Sequence, residues 1–311
     1  MSPDRRRAPG SVPAERWFLA AMLAGSAALA CSRGTIPIVP GGPLLPSTLT
    51  AAAAVTRTPL YQFTPGPGFQ FPHAVFGVPA GETLTVRQVA GVAGSDVGHL
   101  PHNARGLSLT GNATSLGSSV WVEIVRPEGG TGWVPAVQIT QDVPPEAFCG
   151  DARIPALLDA LRASIAARDA AGLRALVSPR RALTVRLDWW NPEVTLRADA
   201  LADAFGSDDA GTWGQLPSGA AITGTFKGVV LPLLDRVAGD DVSYTCNQIV
   251  IGSSLREARW PSEYVNLNFY SLHRPAGPTE SEFAWSTWLV GVEYVDNQPY
   301  ISHLVQLRAG V

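Results

Sequence analysis

The sequence predicts two folded parts in series: a small all-β unit, then an α+β domain with helices packed on a curved antiparallel sheet. Three observations predict this. Residues 58–140 carry only short alternating runs separated by glycine-rich turns. Residues 154–177 read as two helices, the first with an apolar stripe at helical spacing. The last fifty residues alternate with a period of two around a tight turn, so helices come first and long hairpins last.

The chain of 311 residues is 46% hydrophobic and 16% charged, a globular composition with ample material for a core. Its formal charge is −3, and four of its arginines lie in the first thirty residues, so the remainder is more acidic still. That balance gives no general attraction to phosphate backbones, and nucleic acid is excluded as an expected partner.

Arg5, Arg6, Arg7 and Arg16 precede an uncharged run from Trp17 to Ala30 of 14 residues, closed by Ala27-Ala28-Leu29-Ala30-Cys31. A membrane-spanning helix needs about 18–20 apolar residues. A charged start, a short apolar core and small residues at the cut instead describe a secretory signal over 1–30. Cys31 sits where a bacterial lipoprotein carries its acylated cysteine. The expectation is an exported protein, lipid-anchored at Cys31 to the outer face of the cell membrane. Residues 31–57, rich in Pro, Gly, Ala, Ser and Thr, read as a flexible spacer. Cys149 and Cys246 remain. In an oxidising compartment they form either a disulfide or two separate buried thiols, and compartment and parity favour the disulfide.

In the β unit, Leu84 and Val86 alternate with Thr83, Thr85 and Arg87. Val120, Val122 and Ile124 alternate with Trp121 and Glu123, and Trp133-Val134 follows the turn at Gly129-Gly130. Leu60-Tyr61-Gln62-Phe63-Thr64-Pro65-Gly66-Pro67-Gly68, the strand Val78-Pro79-Ala80-Gly81-Glu82-Thr83-Leu84-Thr85-Val86, and Trp121-Val122-Glu123-Ile124 with Gly132-Trp133-Val134 together resemble the bacterial SH3-like domain. The resemblance implies a small barrel over 58–140 and a wall-peptide or protein ligand. Tyr61, Trp121 and Trp133 would be its contact aromatics unless they fill the core. Residues 94–118 depart from the family pattern and read as an inserted loop.

Residues 141–147, with Pro144-Pro145, read as a linker. Beyond it, Ile154, Leu157, Leu158, Leu161 and Ile165 form one helical stripe. Asp169 caps a second short helix that Ser178-Pro179 ends. Leu183, Val185, Leu187 and Trp189 mark a strand. Ala198 to Phe205 and Val229 to Val237 read as helices. Val265, Leu267 and Phe269 open the strand region. Trp288, Val290, Val292 and Tyr294 form one face of the next strand, and Ile301, His303, Val305 and Leu307 return after a turn at Asp296-Asn297. The segments at 166–176 and 292–301 resemble the helix junction and final hairpin of the nuclear-transport-factor-2-like cone. That likeness implies paired helices on a curved sheet and a pocket on its concave face.

Candidate chemistry is sparse. Asp188, beside Trp189-Trp190, and His273 are the candidate bases, with Trp190, Tyr264 and Tyr270 as companions in such a pocket, since a carboxylate among aromatics has a raised pKa. The alternative is a structural aromatic cluster. His99 and His102, near Asp96, supply part of a metal-ligand pattern but no complete one. No cofactor motif is present: there is no phosphate-cradling glycine loop, no Gly-x-Ser-x-Gly and no His-Glu-x-x-His. The leading expectation is a non-enzymatic envelope lipoprotein that binds peptidoglycan, an envelope protein or a small molecule. The rivals are an isomerase- or hydrolase-type enzyme with its pocket in the α+β domain, and a scaffold for an envelope assembly.

Overall fold

The structure, a computed structural model, describes residues 67–252 and 257–309. The signal, Cys31, the spacer and Tyr61 lie outside the described residues. The protein is an α+β molecule.

The N-terminal part contains strands β1 (His73–Val75), β2 (Thr83–Arg87), β3 (Asp96–Pro101), β4 (Leu109–Leu116), β5 (Ser119–Val125), β6 (Thr131–Pro135) and β7 (Ile139–Gln141). β2 to β6 form an antiparallel sheet of order β3-β2-β6-β5-β4, and β1 pairs with β7. Val75, Leu84, Val86, Leu100, Ile124, Val134 and Ile139 fill its core. The alternation at 83–87 and the turn at Gly129-Gly130 are as the sequence predicts. At 120–124 only Val122 and Ile124 follow it: Val120, near the start of the strand, is exposed, and Trp121 is buried.

Residues 94–118 are not a loop. They hold β3 and β4, the two edges of the sheet. Edge strands bury only one face and part of their length, so their side chains are mostly polar and exposed and the period-two signal fades. Residues 141–147 are likewise ordered. Gln141 belongs to β7, the Asp142 N–H donates to the Pro72 carbonyl, and helix α1 (Pro145–Cys149) begins at once.

Helices α2 (Arg153–Ala167) and α3 (Ala170–Leu176) follow, and Asp169 caps α3 by accepting from the Gly172 N–H. Then come β8 (Leu183–Leu187), β9 (Val194–Leu196), the short α4 (Ala198–Ala202), and the ribbon of β10 (Ala210–Gln215) with β11 (Ala221–Thr225). A π-helical turn at Phe226–Val230 leads into α5 (Leu231–Asp235). β12 (Ser243–Cys246), β13 (Asn268–Arg274), β14 (Ser286–Val295) and β15 (Gln298–Arg308) complete the chain.

The larger sheet has the order β12-β13-β14-β15-β8-β9. It is mixed, not wholly antiparallel, because β8 pairs parallel with β15. That neighbour is about 120 residues away in sequence, and periodicity within a strand carries no information about which distant strand lies beside it. The turn at Asp296-Asn297 has φ of 50° and 64°, the left-handed pair that a two-residue hairpin requires. A register shift between Gly291 and Val292 breaks the alternation of β15. Ile301 and Leu304 join the helix-side core, whereas Val305 and Leu307 join the opposite cluster.

Both faces of this sheet are covered. On one, Trp288, Val290, Val292 and Tyr294 meet Leu158, Leu161, Ile165 and Leu234 from the helices. On the other, Phe76 from the N-terminal part packs with Tyr264, Leu289, Val305 and Leu307. The Asn266 amide donates to the Val75 carbonyl at 2.8 Å, tying the two parts together.

Candidate functional site

The residues that the sequence offers as a shared acid–base group are not brought together. Asp188 follows β8 in a left-handed conformation, φ 67°, with 7% of its surface exposed. Burial pushes its carboxyl pKa up, opposed by Arg308, whose Nε lies 3.5 Å away. His273 lies on β13, three strand positions away in the sheet order. At the usual strand spacing that separation is about 14 Å, beyond any shared proton transfer. The His273 Nδ1 is 2.8 Å from Thr287 Oγ1, and burial lowers its pKa. Tyr264 and Tyr270 belong to clusters on opposite faces of the sheet. Sheet order and face fix these positions, and neither is visible in a single strand's pattern.

The other candidates scatter. Trp121 is buried, Trp133 half-buried and Trp190 exposed. His99 is exposed on β3, and Asp96 is engaged in an ion pair with Arg87. Among the described residues no group of three His, Cys, Asp or Glu side chains is placed to hold a metal ion. Cys149 and Cys246 form a disulfide, with Cα atoms 5.7 Å apart, joining the end of α1 to β12.

Two polar networks that the sequence does not announce lie between the N-terminal part and the larger sheet. The Ser178 hydroxyl donates to Glu293, and Arg181 Nε donates to the same carboxylate at 2.7 Å. The remaining Arg181 nitrogens donate to the carbonyls of Val137 and Ile139, and its guanidinium stacks 4.0 Å over the Phe76 ring. In the second network Arg186 donates to Glu263 at 2.6 Å and to the Tyr264 hydroxyl at 3.1 Å. The Tyr264 hydroxyl in turn donates to Glu193. Burial, then Arg181 and Arg186, hold the His303 pKa well below the ordinary imidazole value. The Arg181, Glu293 and Tyr264 groups are saturated by protein partners, which fits them to hold the fold and not to meet a substrate.

His273 borders an open pocket of about 580 Å³ that Asp240, Asp241 and Arg274 also line. Another open site lies on the helix side of the molecule. A cavity of about 780 Å³ opens where α3, the turn at 178–182 and α4 meet. Its volume falls in the ~300–1,000 Å³ range of small-molecule sites. Ala175, Val177, Pro179, Ala198, Leu201 and Tyr300 give it an apolar wall, and Arg174, Arg180 and Arg197 stand around it. Arg174 and Arg197 are exposed, and the nearest acid to Arg197 is Asp199, at 4.0 Å. Arg180 is exposed by area yet crowded: burial, reinforced by Arg181, presses its pKa below the ordinary arginine value, against the pull of Glu293 and Asp296. No carboxylate lines this cavity. The sequence signal was the Arg180-Arg181 pair in a Ser-Pro turn of an acidic chain, with Arg174 and Arg197 brought in only by folding.

Comparison with protein-family models, with curated proteins and with solved structures finds no match.

Proposed function

We propose that this chain is an exported, lipid-anchored envelope protein that binds its ligand without transforming it. The observation that carries the reading is the composition of the cavity between α3 and α4, whereas the pocket at His273 is more polar and more open, walled by Pro275, Ala276 and Pro278. The cavity between α3 and α4 has apolar walls and arginines, and no acid paired with a base, and the candidate bases Asp188 and His273 stand three strands apart. A general acid–base site needs two titratable groups within reach of one substrate.

The Cys149–Cys246 disulfide is compatible with export. It supports the leader reading of residues 1–30, with Cys31 as the acylated residue. The SH3-like reading of the N-terminal part is supported by its short strands and by Gly132. β2 meets β6 at the Arg87–Trp133 pair, and a Cβ at 132 would collide with the Val86 side chain, so the glycine before Trp133 is sterically required. The cone-like reading of the C-terminal part is supported by α2 and α3 joined at the Asp169 cap and by the β14–β15 hairpin. As both sheet faces are filled, the ligand site falls beside the sheet, at the arginine-lined cavity.

Fractionation of cells expressing the intact chain tests the anchoring. The wild type should partition with membranes, and Cys31→Ser should appear in the soluble exported fraction or persist as uncleaved precursor. Unchanged partition together with unchanged processing of the variant overturns the lipoprotein reading.

A further inference from the structure

The described residues include fifteen arginines. Eleven of them, Arg197 among them, have a carboxylate within 4.0 Å. Arg126 and Arg236 donate to backbone carbonyls. Arg174 and Arg180 are the two with neither an ion pair within 4.0 Å nor a guanidinium hydrogen bond among the described residues, and both line the same cavity. Arg180 feels Glu293 and Asp296 only at longer range and also borders a neighbouring pocket with Asp296. Neither guanidinium is closed off by a direct carboxylate contact, so both keep donors for an incoming anion. Here they flank one apolar wall made by Ala175, Val177, Pro179, Ala198, Leu201 and Tyr300.

We propose that this cavity binds a single-chain anionic amphiphile, its oxyanion head on Arg174 and Arg180 and its hydrocarbon tail along the apolar wall. The inference rests on the binding reading above and specifies the ligand class. A guanidinium presents a planar fork of donors that matches carboxylate and phosphate oxygens two at a time. Arg180 is exposed, so its donors are reachable by an arriving anion. Arg197, also on the cavity and 85% exposed, adds long-range attraction without fixing the head. The apolar wall supplies what an inorganic anion cannot use. Burial of one methylene is worth a factor of about four in affinity, so affinity should climb steeply with tail length until the wall is covered.

The test is calorimetric titration of the intact chain bearing Cys31→Ser, which keeps lipid and detergent out of the assay. The probes are hexyl, octyl and decyl phosphate, decanoate, decanol, decyl maltoside and inorganic phosphate. The alkyl phosphates should bind with affinity rising by about tenfold or more per two methylenes until the wall is covered, and decanoate against decyl phosphate distinguishes a fatty-acid from a lipid-phosphate head. Decanol, decyl maltoside and inorganic phosphate should each bind at least tenfold more weakly than decyl phosphate. Arg174→Gln with Arg180→Gln should weaken decyl phosphate at least tenfold, and added salt should weaken it in the wild type. Ala175→Trp, on the exposed face of α3, should block the tail while leaving both arginines in place. Arg259→Gln, whose partner is Glu257, serves as the control and should change nothing.

Equal binding of decyl maltoside, equal binding of inorganic phosphate, or wild-type affinity in the double variant or in Ala175→Trp overturns the proposal. Absence of binding by every amphiphile does so too, and leaves the anchoring result from fractionation untouched. Recovery of a chemically altered probe would instead overturn the non-catalytic reading while leaving the site in place.

Discussion

The two faces of the larger sheet are built on different physics. The helix face is hydrocarbon: Leu158, Leu161, Ile165, Trp288 and Val290 are each at most 1% exposed. The face turned toward the N-terminal part also has an apolar cluster, but it carries Arg181, Glu293, Arg186, Tyr264 and His303 at or near the junction. Apolar contact is permissive of sliding and repacking. A buried charge, in contrast, is tolerated only where its partners stand in place. The helix face therefore supplies stability, and the junction face selects the one arrangement in which Arg181 reaches Glu293, Val137 and Ile139 together.

The largest effect is expected on the helix side. The disulfide closes a separation of 97 residues and fixes α1 to β12. In the chain-entropy account such a cross-link is worth about 4–5 kcal/mol. Cys149→Ala with Cys246→Ala should lower the unfolding free energy by that order in denaturant titrations. Thiol labelling of the unfolded, unreduced wild type should find neither cysteine of the pair free. A loss under about 1 kcal/mol would show that the helix face holds its edges without the bond.

The junction is expected to respond in a distinctive way. Arg181→Met leaves Glu293 buried without a cation, which typically costs about 3–5 kcal/mol. Adding Glu293→Leu to that variant should recover much of the loss, because a hydrocarbon pair tolerates burial as well as the ion pair does. Leu158→Ala on the helix face should cost about 2–5 kcal/mol, the usual range for a buried leucine. If the Arg181/Glu293 double variant is as unstable as Arg181→Met alone, the ion pair contributes net stability and the contrast between the faces weakens.

The difference between the faces also explains what the sequence made legible. The α2 stripe, the Asp169 cap, the alternation of Trp288 to Tyr294 and the Asp296-Asn297 turn are local patterns, and each lies where the sequence puts it. The edge strands β3 and β4 escaped because they bury too little to alternate. Phe76, Asn266 and Arg181 gave no sign of joining the two parts, since their partners lie dozens to nearly two hundred residues away. The candidate site followed the same rule. Asp188 and His273 have the right chemistry, but their distance depends on strand order. Arg174 and Arg180 looked like ordinary surface charge until folding placed them on one cavity with no carboxylate in direct contact.

The smallest effect is confined to acid and should be felt at the junction. His73 is 3% exposed on β1, with Nδ1 2.9 Å from the Phe71 carbonyl. Its pKa is lowered to about 4, by burial first and by Arg180 next, with Arg181 adding and Asp142 opposing. The folded protein thus keeps this imidazole neutral where the unfolded chain, titrating near 6.5, binds a proton. The contribution to stability is complete above about pH 6.5 and is lost as pH falls toward 4, by roughly 3 kcal/mol for a shift of this size. His303 is lowered in the same direction and adds to the slope. Both residues lie away from the helix-side cluster: His73 is on β1, and His303 packs against Phe76 and Tyr264. His73→Gln should flatten, without abolishing, the fall in unfolding free energy between pH 6.5 and 4. Hydrogen exchange at pH 4.5 should show β1 and β7 losing protection before α2. Uniform loss across both regions, or an unchanged slope in the variant, would mean that acid acts on the whole fold and that the junction is no more sensitive than the helix face.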